Sequence, residues 1–208
     1  MRYKNRLAQL TGRKKLYAMI GSVFVVLLVI GIGANYNYLT MPLGQPQVSP
    51  DPRDSSIVAS NFRVLSQAHT DVCAYLGNYQ SNSNYISSLA DNFYLQGSCC
   101  SPMDYTHYAT QINGLKNYSN IPMIPRDPYN VSAPLAKQMI SYAAMALTPA
   151  QQEVYDTALQ MSKEGPCCCQ CWAWYTHEGL AKALISQHGW NAQQIVGIWS
   201  QEDCCGGA

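Results

Sequence analysis

Cysteine is distributed very unevenly along this chain, and that distribution restricts what the chain can fold into. Eight of the nine cysteines lie in three short groups, and Cys73 stands alone. The groups are the pair Cys99 and Cys100, the tetrad Cys167, Cys168, Cys169 and Cys171, and the pair Cys204 and Cys205. Disulfide frameworks usually spread their cysteines so that each bridge joins distant loops. The grouping therefore predicts a fold that brings several thiols together at one place.

The tetrad follows directly after Pro166, and proline is favoured at the first position of a helix. We therefore expect a helix to begin there and to continue to His188. Its first turns would carry the thiols, where free backbone N–H groups and the helix dipole lower the pKa of a thiol. Cys167 and Cys171 would share one face at a spacing of i, i+4, and Cys169 would point elsewhere.

Thiolates are soft ligands that select Cu(I), Zn(II) or iron–sulfur clusters. Four of them complete a structural zinc site, so the eight grouped cysteines exceed what one zinc ion needs. A polynuclear Cu(I) site would use more of them as bridging ligands, and the familiar ligand spacings of iron–sulfur proteins are absent. We expect Cu(I) as the bound metal, with zinc as the alternative.

Two histidines lie near the cysteine groups. His177 follows the tetrad on the same predicted helix, and His107 follows the first pair. Imidazole is a common metal ligand, so both join the predicted set. That set is Cys167, Cys168, Cys169, Cys171, Cys99, Cys100, Cys204, Cys205, His177 and His107. No catalytic residue is predicted, because the chain has no His-Glu-x-x-His, phosphate-binding glycine loop or Gly-x-Ser-x-Gly motif.

Residues 55–208 show helical rather than strand-like patterns. Ser101 and Thr148 each stand before a proline, an arrangement that indicates a helix N-terminus, and Gln151 can complete a capping box with Thr148. Apolar residues recur at helical spacing over 57–79, 132–147, 149–164, 172–188 and 192–199. We predict an all-α domain, a small cysteine-rich bundle of about five to seven short helices.

A run of 19 uncharged, mainly apolar residues, Leu16–Ala34, lies near the N-terminus. A helix needs about 20 such residues to cross a bilayer. Six cations precede the run and none follows before Arg53, so the positive-inside rule places the N-terminus in the cytoplasm. A cleaved signal peptide is the alternative. The predicted organisation is a cytoplasmic basic segment at 1–15, a single transmembrane helix at 16–35, an extended linker at 36–54 and an extracytoplasmic domain at 55–208.

The chain beyond its first fifteen residues is net acidic. Seven cations and twelve acids give residues 16–208 a formal charge of −5. Binding to a phosphate backbone needs a basic patch or stripe, and none is present, so nucleic acid is not an expected partner. The expected partners are the membrane itself, through the N-terminal helix, and a membrane or surface protein.

The segment Pro166–Cys171 reads Pro-Cys-Cys-Cys-Gln-Cys. It resembles the Pro-Cys-Tyr-Cys-Gly-Cys signature of the PCYCGC-motif proteins, a family of small, helical, membrane-attached bacterial proteins. Four of the six positions match, and Cys168 and Gln170 stand where the signature has tyrosine and glycine. The resemblance implies an exported helical domain with a thiolate metal site and no enzymatic activity.

Three functions are compatible with these features. The first is a membrane-tethered extracytoplasmic protein that binds a soft metal through clustered thiolates. The second is a disulfide-stapled structural or accessory subunit, in which Cys73 joins one pair and Cys204 or Cys205 joins the tetrad, as an oxidising compartment favours. The third is thiol–disulfide exchange through Cys168 and Cys171, a Cys-x-x-Cys spacing that lacks its usual βαβ context here.

Overall fold

The structure, a computed structural model, describes residues 55–68 and 77–207. The predicted basic segment, transmembrane helix and linker at 1–54 lie outside these residues, and so does Cys73. All described residues belong to one structural unit, Pro46–Ala208. Within the described ranges, no helix combines the length and the apolar character that crossing a bilayer requires.

Seven α-helices and one small sheet form the described part of the chain. In chain order the elements are α1 (Ser55–Leu65), α2 (Tyr79–Ser88), β1 (Tyr94–Gln96), α3 (Tyr105–Leu115), β2 (Asn130–Ser132), α4 (Ala133–Ala143), α5 (Pro149–Met161), α6 (Trp172–His188) and α7 (Ala192–Glu202). A short 3-10 turn, Lys116–Tyr118, extends α3. The mainly helical fold that the sequence predicts is confirmed.

The sheet is the element that the sequence did not predict. β1 and β2 pair antiparallel, with Leu95 opposite Val131, and both of these side chains are buried. Each strand has three residues, which is too short for an alternating pattern to be recognised. Because β2 runs directly into α4, the pairing ties the segment before α3 to the start of that helix.

The predicted capping box at the start of α5 is confirmed. Thr148 Oγ1 accepts a hydrogen bond from the backbone N–H of Gln151 at 3.4 Å, and the Gln151 side chain accepts one from the backbone N–H of Thr148 at 3.1 Å. A second capping box, between Asn191 and Gln194, opens α7. These local hydrogen bonds satisfy backbone N–H groups that a helix start otherwise leaves without partners.

The predicted helix start at Ser101 is wrong. α3 begins at Tyr105, and Asp104 caps it by accepting a hydrogen bond from the backbone N–H of His107 at 2.7 Å. The Ser101 hydroxyl instead donates to the backbone carbonyl of Cys205, and it lies four residues before the first residue of the helix. A contact with a distant part of the chain has therefore replaced the local one.

Several helix boundaries also differ from the predicted ranges. α1 ends at Leu65, and Asn78 caps a separate helix by accepting a hydrogen bond from the backbone N–H of Ser81 at 2.9 Å, so 57–79 is not one helix. α4 ends at Ala143, four residues before the predicted end, and α7 continues to Glu202.

The central helix of the described unit is α6, which packs most extensively against α4. A Cβ atom built on Gly179 of α6 would lie 1.9 Å from the carbonyl oxygen of Met139 in α4. Only glycine therefore permits this close approach of the two helix backbones. The buried body of α6 fixes the position of its N-terminal end, where the tetrad lies.

The segment between α3 and β2 contains three prolines and forms a loop, and a buried carboxylate holds it. Asp127 accepts hydrogen bonds from the Tyr108 hydroxyl at 2.6 Å and from the backbone N–H of Tyr129 at 2.9 Å. Burial raises the pKa of Asp127 to about 6. These bonds place Tyr108 and Tyr129 in the same apolar core as the buried thiols.

Candidate metal centre

The tetrad lies in the loop before α6 and not in the first turns of the helix. α6 begins at Trp172, and Cys171 is its N-cap residue in an extended conformation, so the prediction that Pro166 opens the helix is wrong. Successive residues of a helix point about 100° apart, so four thiols in a helix could not face one point. The loop allows Cys167, Cys169 and Cys171 to converge, which also contradicts the prediction that Cys169 points elsewhere.

The two cysteine pairs are held together by backbone hydrogen bonds between segments that are distant in sequence. The N–H of Cys99 donates to the carbonyl of Cys204 at 2.9 Å, and the N–H of Ser101 donates to the carbonyl of Cys205 at 3.0 Å. The N–H of Asp104 donates to the carbonyl of Gly206 at 2.8 Å. The segment after α7 is thereby fixed beside the segment before α3.

All eight described cysteines form one continuous set of sulfur atoms, which we call the thiol cluster. Hydrogen-bonded Sγ–Sγ pairs include Cys100–Cys168 at 3.1 Å, Cys99–Cys100 at 3.4 Å, Cys100–Cys169 at 3.6 Å, Cys167–Cys205 at 3.6 Å and Cys204–Cys99 at 3.8 Å. A disulfide bond is about 2.05 Å long, so none of these contacts is a covalent bridge. Disulfide bonds do not join these eight cysteines in the described part of the chain.

Within the thiol cluster, four overlapping groups have the geometry to hold a metal ion. In each group all sulfur atoms lie within 4.8 Å of one another. The groups are Cys99, Cys167, Cys169 and Cys171; Cys99, Cys100 and Cys205; Cys100, Cys168 and Cys169; and Cys167, Cys168 and Cys205. Because the groups share members, a shared thiolate would bridge two ions if neighbouring groups were occupied.

Burial divides the thiol cluster into two sides. Cys171, Cys204, Cys167 and Cys205 are 0 %, 1 %, 3 % and 9 % exposed, and they are part of an apolar core with Tyr108, Tyr129 and Trp172. We call these four the inner thiols. Cys100 and Cys168 are exposed and Cys169 is half-buried, and we call these three the outer trio. Cys99 is half-buried and contacts both sides.

Hydrogen bonds between thiols favour the thiolate form at some sulfur atoms and the thiol form at others. Hydrogen bonds with Cys167 and then Cys99 hold the pKa of both Cys204 and Cys205 well below its usual value. A hydrogen bond from Cys167 lowers the pKa of Cys169 to about 7. Hydrogen bonds raise the pKa of Cys99, first through Cys167, and that of Cys167, first through Cys169, so that these two thiols act mainly as donors. Metal ions bind thiolates, so occupation of the cluster would release the protons that the donors hold.

The two predicted histidine ligands are not part of the four thiol groups. His177 is buried, and its Nδ1–H donates to the carbonyl of Pro166 at 2.9 Å, so this side chain holds the tetrad loop onto α6. His107 lines a cavity of about 340 Å³ that also reaches Cys167. Its Nε2 is buried and has no hydrogen-bond partner within the residues that the structure describes.

Sequence reasoning missed two acids that directly precede Cys204. Glu202 is fully buried, and burial raises its pKa well above the usual value. Burial also raises the pKa of Asp203 to about 8, and the carbonyl of Asp203 accepts a hydrogen bond from Gln111 at 2.6 Å. Protonated acids add no negative charge beside the thiolates. The adjacency of two acids to a cysteine pair was the signal available in the sequence.

The chain was compared with known proteins in three ways. No family model, no curated protein and no solved structure matches it.

Proposed function

We propose that this protein binds Cu(I) in a polynuclear thiolate cluster and serves in the acquisition, buffering or delivery of copper at the outer face of a membrane. One observation carries the proposal: seven thiols from three distant segments form overlapping groups, each with its sulfur atoms within 4.8 Å of one another, and the eighth, Cys204, lies 3.8 Å from Cys99. Thiolates prefer soft ions, and Cu(I) is the soft ion for which shared, bridging thiolates are most useful.

Zinc is the alternative metal, and the geometry allows a specific comparison. A tetrahedral site with Zn–S bonds of about 2.3 Å places its sulfur atoms roughly 3.8 Å apart. The group of Cys99, Cys167, Cys169 and Cys171 has sulfur atoms close enough for such a site. One zinc ion would leave Cys100, Cys168 and both members of the last pair without a metal. The continuity of the thiol cluster favours several Cu(I) ions over one zinc ion.

The location of the protein forms part of the proposal. A transmembrane helix at 16–35 would hold the domain beside the membrane, with residues 1–15 in the cytoplasm. The acidic charge of the remainder, −5 for residues 16–208, suits a partner that presents a cationic metal rather than a nucleic acid. A membrane or surface protein that donates or accepts copper is the partner we propose.

The experiment is metal analysis of the full chain purified without oxygen. We expect more than one Cu(I) per chain at saturation, in competition with a chromogenic Cu(I) chelator, and little displacement by zinc. Changing Cys167 and Cys171 together to serine should remove most of the bound copper. Cys73 lies outside the three groups, so Cys73→Ser is the matched control and should retain the full amount of bound copper. Absence of bound copper in the unmodified chain would contradict the proposal.

A disulfide-stapled accessory subunit is the second candidate, and three contacts favour it. Cys100–Cys168, Cys167–Cys205 and Cys204–Cys99 each join segments that are distant in sequence. Titration of free thiols under denaturing conditions separates the two candidates: oxidised cysteines without metal indicate the staple, and reduced thiols with metal indicate the cluster. Thiol–disulfide exchange has less support, because no group contains both Cys168 and Cys171.

A further inference from the structure

The outer trio differs from the other groups of the thiol cluster in its exposure. Each of the other three groups contains at least one of the inner thiols. The outer trio is the only group without a buried member among the described residues. Its sulfur atoms are close, with Cys100 at 3.1 Å from Cys168 and 3.6 Å from Cys169. Two exposed thiols and one half-buried thiol at this spacing can receive an ion directly from solution.

Each member of the outer trio also belongs to a different deeper group. Cys169 is shared with the four-thiol group, Cys100 with the group that contains Cys99 and Cys205, and Cys168 with the group that contains Cys167 and Cys205. An ion held by the outer trio can therefore keep one sulfur ligand while it exchanges the other two for deeper ones. The shared sulfurs connect the surface to all three deeper groups.

We propose that the outer trio is the port through which Cu(I) enters and leaves the thiol cluster. This inference rests on the proposed function. The donor or acceptor is a small Cu(I) complex with soft, exchangeable ligands. Each new bond between Cu(I) and a trio sulfur replaces a bond between Cu(I) and a donor ligand. The proton of the trio thiol passes to water, and copper remains Cu(I), so no oxidant or reductant takes part.

Direct entry to the inner thiols is limited by their burial. Cys171 and Cys204 are at most 1 % exposed, and the surrounding side chains are apolar or aromatic. The cavity beside His107 reaches Cys167 and offers the competing route. The two routes use different residues, so substitution can separate them.

The test measures loading rate and capacity separately on the full chain. The probe is the Cu(I) complex of bicinchoninate, and the rate is that of the first copper equivalent under anaerobic stopped flow. We expect Cys100→Ser and Cys168→Ser each to slow this step by about tenfold or more, an increase of about 1.4 kcal/mol in activation free energy. Each should leave the four-thiol group able to hold copper, because neither residue belongs to it.

Two matched variants make the result interpretable. Gln170→Ser alters the same loop at an exposed position without removing a thiol, and its loading rate should equal that of the unmodified chain. Cys171→Ser removes an inner thiol, so capacity should fall while the first-equivalent rate stays within about twofold. Far-UV circular dichroism checks that each variant is folded.

The outcomes distinguish this inference from the proposed function. If the unmodified chain binds no Cu(I), the proposed function fails. If it binds Cu(I) but Cys100→Ser and Cys168→Ser load at the unmodified rate, the port is wrong and the proposed function stands. Slower loading for Cys171→Ser than for Cys100→Ser would place the entry route at the inner side and overturn the inference.

Discussion

The described unit contains two cores that are stabilised in different ways. The helical core consists of apolar side chains from α3 to α7, among them Met139, Leu180, Leu184, Ile195 and Ile198. The thiol core combines the inner thiols with aromatic and apolar residues from α1 to α4, β1, β2 and the start of α6. Apolar burial stabilises the helical core without any ligand. The thiol core buries ionisable sulfur, so its stability depends on protonation and would rise if the proposed metal bound.

The largest expected effect lies in the helical core. Gly179→Ala would place a methyl group 1.9 Å from the Met139 carbonyl oxygen and force α4 and α6 apart. We expect the free energy of unfolding to fall by about 3 kcal/mol, because overpacking moves the backbone. Denaturant titration of the copper-free chain measures this loss. Gly197→Ala, in a helix with open space at that position, should be neutral or stabilising, and an equal loss there would contradict the explanation.

A smaller effect is expected at the glycine that closes the thiol core. Gly206 has a φ of +101°, and a Cβ there would lie 2.2 Å from the Ser101 carbonyl oxygen. Gly206→Ala should cost about 2 kcal/mol in unfolding free energy and reduce copper capacity, because the last cysteine pair loses its place. Gly77→Ala is the control, since Gly77 also has a positive φ but no atom within 4 Å. If Gly206→Ala retained its full copper capacity, the position of the segment after α7 would not matter for copper binding, and this explanation would be wrong.

The pKa of Cys169 makes a prediction within the outer trio. In the metal-free chain its pKa is lowered to about 7, first by the Cys167 hydrogen bond, whereas burial raises that of Cys100 to about 11. A thiol with a lower pKa in the folded than in the unfolded chain stabilises the folded state at any pH above the pKa of the unfolded chain. For Cys169 this contribution is lost as the pH falls through about 7. Iodoacetamide reacts with the thiolate, and at pH 8 the lower pKa makes Cys169 more thiolate than Cys100. Cys169 should therefore be modified about tenfold faster than Cys100, allowing for the weaker nucleophilicity of a low-pKa thiolate. Mass spectrometry of the peptides measures both rates, and equal rates would contradict the hydrogen-bond assignment.

The smallest effect is expected at the α5 capping box, which lies away from the thiols. Thr148→Ala removes the side-chain acceptor for the backbone N–H of Gln151. The unfolding free energy should fall by about 1 kcal/mol, and copper capacity should not change. Denaturant titration and copper titration of the same sample check both statements. A loss of copper in this variant would show that the two cores are coupled.

The sequence was informative where the deciding interactions are local. The Thr148 capping box depends on residues three positions apart, so its pattern is visible in the sequence. The grouping of cysteines predicted convergence because adjacent thiols seldom serve separate loops. The predicted helix start at Ser101 is wrong because the backbone N–H groups of Ser101 and Asp104 donate to the carbonyls of Cys205 and Gly206, about 100 residues away, and the helix begins only after this segment. The prediction that the tetrad lies in the first turns of a helix is wrong. The thiols converge from a loop, and the helix begins only at Trp172.

The role of His177 also needed the structure. Its position six residues after the tetrad suggested a ligand, but its ring donates to the Pro166 carbonyl, and its own carbonyl accepts from the Trp199 indole at 3.2 Å. Spacing along a helix does not reveal which backbone carbonyl a side chain will meet. The four thiol groups themselves could not be predicted, because they depend on the relative position of three loops.

The contact between Cys99 and Cys204 joins residues that are 105 positions apart. A nascent or partly degraded chain that lacks either segment cannot assemble the complete set of sulfur atoms. Full metal occupancy would then certify an intact domain, and a handover partner that recognises only the loaded form would ignore defective copies. If the thiol cluster binds copper as proposed, the amount of bound metal would itself report whether the domain is intact.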